Sequence, residues 1–200
     1  MNPTKPAKHK VADQFKTERL MIRRYQKTDT KALYAAARES IVEVSQFLPW
    51  CHADYSIAES EQWVTLVMKN WGENNQFCFV VEEKFSRKFI GGVGLNAVDQ
   101  HPMVNLGYWL RSSETGKGYA TEAAQGLIDW AFAELQIQRI EIILSVENLP
   151  SKKVAEKTNA RHEGILSSRL LIHGRLHDAH LFALTRSGHA DAHSTDISTK

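Results

Sequence analysis

The stretch GYWLRSSETGKGYATEAAQGLIDWAF, residues 107–132, ends an apolar run at Leu110, sets Gly116 and Gly118 one residue apart, and then opens a helical pattern. Ala120, Ala124, Leu127, Ile128, Ala131, Phe132 and Leu135 recur at helical steps of three and four. They form one apolar stripe, which predicts a helix over 119–135 packed on a sheet. The first turn of such a helix leaves amide N–H groups without intrahelical partners, and anions, phosphate above all, are drawn to that end. Glycine at 116 and 118 removes side chains that would hold a ligand off the backbone, and Lys117 between them adds a positive charge. The spacing fits two readings, a pyrophosphate cradle or a glycine-rich turn from strand to helix. A nucleotide P-loop is excluded because Gly118, not a hydroxyl residue, follows Lys117. The dinucleotide fingerprint is excluded because Thr121 stands where its third glycine belongs.

The rest of the chain supplies the frame for this stretch. With 200 residues, 42% of them hydrophobic, it has the material for one core and one domain. A formal charge of +2 is too small to argue for nucleic acid. Two cysteines, Cys51 and Cys78, make no metal knuckle and fit free thiols in a reducing compartment. The lysines near the N-terminus have no apolar run behind them, and no window approaches the ~18 apolar residues of a membrane span. A cytoplasmic protein without a membrane partner is expected.

RLMIRRY (19–25) alternates as a first strand, with Leu20, Ile22 and Arg24 on one side. Thr28 or Asp29 then caps a helix bearing Ala32, Leu33, Ala36 and Ala37. FLPWCHADYS (47–56) is a loop, and the helix that follows it (57–72) spaces Ile57, Trp63, Leu66, Val67 and Trp71 as its apolar face. FCFVVEE (77–83), KFIGGVGLNAV (88–98) and VNLGYWL (104–110) form a run of strands. RIEIILSV (139–146) is a strongly β-branched strand, and SKKVAEKTNA (151–160) is a short helix closed by Asn159 in the left-handed position. EGILSSRLLI (163–172) and LHDAHLFAL (176–184) are strands around a turn at Gly174. This mixed order predicts an α/β (α+β) fold with one central sheet, over 17–188, between flexible tails at 1–16 and 189–200.

The succession LGYWL (106–110), GKGYATEA (116–123), ENLPS (147–151) and VAEK (154–157) resembles the acetyl-CoA-binding half of the GNAT superfamily of N-acetyltransferases. Within it, the resemblance is to the branch holding the ribosomal-protein serine and alanine N-acetyltransferases. It is strongest over 105–164 and continuous over about 17–188. It implies a GNAT-like central sheet, mixed but mostly antiparallel, with helices on both faces. It also implies acetyl-CoA as co-substrate, no metal, an amine acceptor such as a protein N-terminus, and compatibility with a homodimer. Ser113 to Gly118 would be the pyrophosphate loop, with Ser113 where the family has Gln or Arg. The amides of Gly116, Lys117, Gly118, Tyr119, Ala120 and Thr121 would bind the pyrophosphate. The strand ending YWLR would splay from the next one, with Leu110, Arg111 and Ser112 along the pantetheine arm. A backbone N–H near Leu110 would meet the oxyanion, while Asn148 and Ser151 would face the pantetheine and thiol end.

Acetyl transfer to an amine needs a neutral amine, a stabilised oxyanion and a proton for the leaving thiolate. Ser151 is the candidate beside the sulfur, and a helix N-cap is its alternative role. Relatives place a Glu where this chain has Asn105, and others one near Leu170, so both usual positions of the base lack a carboxylate. An α-amine, with a pKa near ~8 against ~10.4 for lysine, lowers the demand on a base by roughly 3 kcal/mol. An α-amine acceptor, with water relaying the proton, is therefore expected. Tyr108 and His101 could relay a proton, or Tyr108 could anchor the sheet. Phe47 and Trp50 are the candidates for substrate contact, whereas Trp63, Trp71 and Tyr55 read as packing. His173, His177 and His180 flank a turn, and strand alternation turns the last two to opposite sides, against a metal site. Three other readings stand beside the enzyme: a coenzyme A-binding module without turnover, an acetyltransferase for antibiotics, polyamines or amino acids, and nucleic-acid binding through the basic N-terminal tail.

Overall fold

The computed structural model describes residues 11–73, 76–97 and 102–189. Its strands are β1 Gln14–Lys16, β2 Leu20–Arg24, β3 Gln76–Glu83, β4 Phe89–Ala97, β5 Met103–Leu110, β6 Arg139–Ser145, β7 Arg161–Ile172 and β8 Arg175–Thr185. The helices are α1 Thr30–Glu39, α2 Ile41–Val44, α3 Ile57–Glu73, α4 Tyr119–Glu134 and α5 Leu149–Lys157. All eight strands form one sheet in the order β1-β2-β3-β4-β5-β6-β8-β7. Every pairing is antiparallel except β5 with β6.

Strand alternation divides the core between the two faces. On one face Leu20, Ile22, Phe79, Leu95 and Leu106 meet Leu127, Ile128 and Ala131 of α4. On the other, Cys78, Val80 and Phe89 meet Leu33 and Ala36 of α1 and Val64 and Val67 of α3. Helices cover both faces.

Several elements differ from the expectation. Strand β1 lies within the segment read as tail; it pairs with β2, and the Trp130 indole donates to Ala12 O at 3.0 Å, which ties this segment to α4. Asp29 does not cap α1 through its side chain. Its carboxylate instead accepts from Gln26 N at 2.7 Å and from both terminal nitrogens of Arg23. The helix α3 is rotated relative to its sequence reading. Its buried face is Ser60, Val64, Val67 and Trp71, while Ile57, Trp63 and Leu66 remain 47%, 37% and 47% exposed. Buried Ser60 reads as polar in sequence, but its hydroxyl donates to Tyr55 Oη at 2.9 Å, so the inward face can accept it. The short helix opens two residues early, at Leu149 with Pro150 in its first turn, and Asn159 closes it at φ 58°. His173 and Gly174 both take positive φ, as a two-residue hairpin turn requires.

Among the described residues no helix is long and apolar enough to cross a membrane. The three histidines go to three different partners: His173 Nε2 to Ser45 O at 2.6 Å, His177 toward Glu147 at 3.6 Å, and His180 to His162 at 3.0 Å. His101 lies outside the described residues.

Candidate active site

β5 is hydrogen-bonded to β6 only through Met103–Arg139, Val104–Ile140 and Asn105–Glu141. Beyond Asn105 it follows β4 as far as Leu110, while β6 stays with β8 as far as Ser145. The sheet therefore opens into a wedge between Leu106–Leu110 and the end of β6. Arg111 N donates to Ile90 O at 2.9 Å across the β4 edge. Alternation along an antiparallel strand then turns the N–H groups of Leu110 and Tyr108 the other way, into the wedge.

The glycine loop stands at the mouth of this wedge. Gly116 and Gly118 have φ of 76° and 82°, a left-handed backbone that costs side-chain-bearing residues ~1–2 kcal/mol each. A Cβ on Gly116 would meet nothing within 4 Å, so its outer side is open. The first α4 hydrogen bond runs from Glu122 N to Gly118 O at 3.1 Å, and among the described residues no acceptor meets the amides of 116 to 121. Six N–H groups thus lie together at one helix start, which fits an anionic group.

The charges around the loop come from afar. Arg19, not singled out in the sequence, donates from Nη1 to Lys117 O at 2.9 Å and stacks 4.7 Å from the Tyr119 ring centre. Its Nε holds Glu122 at 2.7 Å. Burial works against the Glu122 charge, but hydrogen bonds from Thr17 and Arg19 outweigh it and lower its pKa. Lys117 does not offer a free ammonium: it donates to buried Glu114 at 2.8 Å, which also takes Lys88. Those two lysines hold the Glu114 carboxyl below its ordinary range, Lys117 more strongly. Each of these cations is thus tied to a carboxylate, Arg19 to Glu122 and the two lysines to Glu114.

Two residues expected along the arm have partners within the protein. Ser112 N donates to Ser40 Oγ at 2.9 Å, its hydroxyl donates to Glu43 at 2.6 Å, and its carbonyl accepts from Thr115. Ser112 is thereby occupied within the protein. The Arg111 guanidinium binds Glu39 and Phe89 O, so it braces the loop against α1. Of the three, Leu110 alone presents its backbone to the wedge.

On the far side of the wedge, Asn148 caps α5, and its side-chain oxygen accepts from Ser151 N at 3.1 Å. Ser151 is therefore not the cap, and its hydroxyl lies 2.7 Å from Tyr108 Oη. The Tyr108 hydroxyl also reaches Ser151 O at 3.1 Å, so this pair spans the wedge from β5 to α5. Burial pushes the Tyr108 pKa up to about 12, against a smaller opposing effect from Ser151. The phenol keeps its proton at neutral pH and suits the role of proton donor.

Asn105 is the last residue paired across the wedge, and its Oδ1 is buried without a partner. Glu141 lies opposite it on the same face, with its carboxylate 2.9 Å from Arg139 Nε. That carboxylate escapes a motif reading because it comes from the neighbouring strand. A cavity of about 170 Å³ lies on the same face of the sheet, floored by Gly92, Gly94 and Gly107 and reaching Tyr108. A Cβ at Gly92 would come within 2.8 Å of Tyr25 Oη, and one at Gly94 within 2.9 Å of Cys78 Sγ, so a larger residue at either position would displace its neighbours. Cys78 also lines it, but burial raises its thiol to about 12, which leaves no thiolate nucleophile. Trp50 lines the cavity, as does Leu48; half-buried Phe47 does not.

Residues 19–161 match the family described as an acetyltransferase (GNAT) domain. The chain is 37% identical over 120 residues to p20 of Bacillus licheniformis, an uncharacterized N-acetyltransferase; that stretch covers 60% of this chain and 66% of the relative, just under two thirds. It is 28% identical over 149 residues to YnaD of Bacillus subtilis, another uncharacterized N-acetyltransferase, over 74% of this chain and 82% of that one. Among solved structures, the ribosomal L7/L12 alpha-N-protein acetyltransferase RimL in complex with coenzyme A superposes with a TM-score of 0.79 at 21% identity, over 86% of this chain and 97% of that one. At that identity the likeness establishes the fold.

Proposed function

The chain belongs to the GNAT acetyltransferase family, and from that premise we propose that it transfers the acetyl group of acetyl-CoA to an α-amine, such as a protein N-terminus, by direct attack in a ternary complex. The observation that carries this reading is the wedge between β5 and β6 with six free amides at its mouth. The residues fit the co-substrate: open space at Gly116, free amides at the start of α4, and a strand edge along which an extended arm can lie. Bound acetyl-CoA supplies the thioester carbonyl that an amine attacks.

The chain's own groups have distinct tasks. The amides of 116 to 121 hold the pyrophosphate. Leu110 N–H, turned into the wedge, stabilises negative charge on the carbonyl oxygen. Ser151 and Tyr108 hold the proton that the departing sulfur needs, with Tyr108 protonated across the working range. The amine enters over Gly92, Gly94 and Gly107. Asn105 cannot take its proton, so the acceptor arrives neutral or gives its proton to water, which favours an α-amine over lysine. The RimL likeness is in keeping with a protein acceptor.

The test is the thermal midpoint with and without acetyl-CoA, with ATP and NAD as controls and Gly118→Glu in parallel. A hundredfold excess over Kd should add ~2.7 kcal/mol of stability. A rise with acetyl-CoA alone, absent in the variant, supports the reading. No rise would leave the glycine loop as a turn and end it.

A further inference from the structure

Trp50, Trp63 and Trp109 stand between two cavities and line both. The smaller is the one over the glycine floor; the larger, about 400 Å³, lies beyond the tryptophans among Leu33, Tyr55 and Leu66. We propose that the larger cavity is the acceptor's specificity pocket and takes a planar aromatic group carried within a few bonds of the reacting amine. This deepens the α-amine transfer reading above and rests on it.

Size separates the tasks of the two cavities. Pockets that hold whole ligands start at about 300 Å³, and an apolar cavity of about 150 Å³ takes a benzene ring. At about 170 Å³ the inner cavity has room for an amine and at most one ring-sized group, so an acceptor larger than that continues past the tryptophans. The outer one, at about 400 Å³, has room for one or two fused rings.

Chemistry selects the ring. Trp50 meets Trp109 edge-on at 5.2 Å and 71°, and meets Tyr55 at 5.6 Å and 67°. A ring entering among these would complete the offset and edge contacts that aromatic groups prefer. Trp63 and Leu66, 37% and 47% exposed, are the residues that the rotation of α3 turns away from the core and toward this cavity. The carboxylate at the rim, Glu59, is already engaged within the protein. It accepts from Ser56 N and Ser56 Oγ, both at 2.8 Å, closing a capping box at the start of α3, and it also meets His52 Nε2 at 2.8 Å.

Two sources could bring such a ring, an aromatic residue at a peptide N-terminus or a free arylalkylamine. The experiment compares initial rates of coenzyme A release at saturating acetyl-CoA with Phe-Ala-amide, Ser-Ala-amide and phenethylamine, for the full chain and for Leu66→Trp, which fills the cavity. Binding is followed separately, without acetyl-CoA, by quenching of tryptophan fluorescence. The expected result is a kcat/KM for Phe-Ala-amide about tenfold above that for Ser-Ala-amide, collapsing toward equality in Leu66→Trp. Leu66→Ala, which enlarges the cavity, should shift preference toward Trp-Ala-amide. Activity with phenethylamine equal to that with Phe-Ala-amide would assign the ring to a free amine. Turnover without an aromatic preference, or a preference that survives Leu66→Trp, would overturn the pocket and leave the transfer reading standing. Saturable quenching by Phe-Ala-amide, lost in Leu66→Trp, with no turnover of any amine, would keep the pocket and overturn the transfer reading instead.

Discussion

The two sides of the wedge are made of different material. The side proposed to hold the donor, from Leu110 to Thr121, presents backbone: two left-handed glycines, free amides, and a strand edge with its N–H groups turned inward. The acceptor side presents side chains brought from β5, α1, α3 and the 47–56 loop, set around Trp50, Trp63 and Trp109. A backbone-built site tolerates side-chain change almost everywhere except at the glycines that shape it. A side-chain-built site shifts its preference with each substitution.

The sharpest way to break this contrast is at Gly118. Gly118→Glu combines left-handed strain at φ 82° with a carboxylate beside Arg19 at the start of α4, and should abolish the acetyl-CoA-induced rise in thermal midpoint. Lys117→Ala, which removes an ammonium already bound to Glu114, should weaken acetyl-CoA only about threefold. A larger loss in isothermal titration would mean that side chains, not amides, hold the pyrophosphate.

Next in size is Tyr108→Phe, which should lower kcat by about a hundredfold with little change in acceptor KM. The unmodified protein should show no alkaline fall in kcat between pH 8 and about 10 (~two units below the Tyr108 pKa), because burial holds that phenol near 12. A basic limb inside that window would remove Tyr108 as the donor. On the other side of the wedge, Trp50→Ala should raise acceptor KM about tenfold while the acetyl-CoA thermal shift stays unchanged. Loss of both would show that the two sides are not independent.

Smaller effects test the supports. Asn148→Ala removes the α5 cap and should cost ~1 kcal/mol in a denaturant titration. Glu39, held at about 2 chiefly by the Arg111 guanidinium and then by Ser113, contributes stability that is complete above its ordinary value of 4.5. That contribution fades as pH falls from there toward 2. The difference in thermal midpoint between the protein and Glu39→Gln should therefore shrink across that interval; a constant difference would show that the pair does not hold the loop to α1.

The glycine loop and the helix after it were legible in the sequence because their information is local. The apolar run, the paired glycines and the α4 stripe lie within one stretch, and a strand followed by a helix fixes where the amides point. Asn105 and Ser151 could likewise be picked from short motifs. The acceptor side was legible only in its parts. Trp63 and Leu66 read as core because a helix's apolar residues are assumed to face inward, yet Ser60 takes the inward position through its bond to Tyr55. The partners of Ser112 and Arg111, which are Ser40, Glu43 and Glu39, are announced by nothing near them in the chain.

By itself the sequence determined the order of strands and helices from β2 onward apart from α2, the glycine loop before α4 and the absence of a carboxylate at position 105. These depend on periodicity and on contacts within a few residues. Tertiary structure alone decided that Arg19 guards the loop from 98 residues away, that Tyr108 meets Ser151 across the wedge, and that three tryptophans enclose a cavity. Such contacts are set by the register of strands and the rotation of helices, and a change of one residue in register turns a side chain to the opposite face.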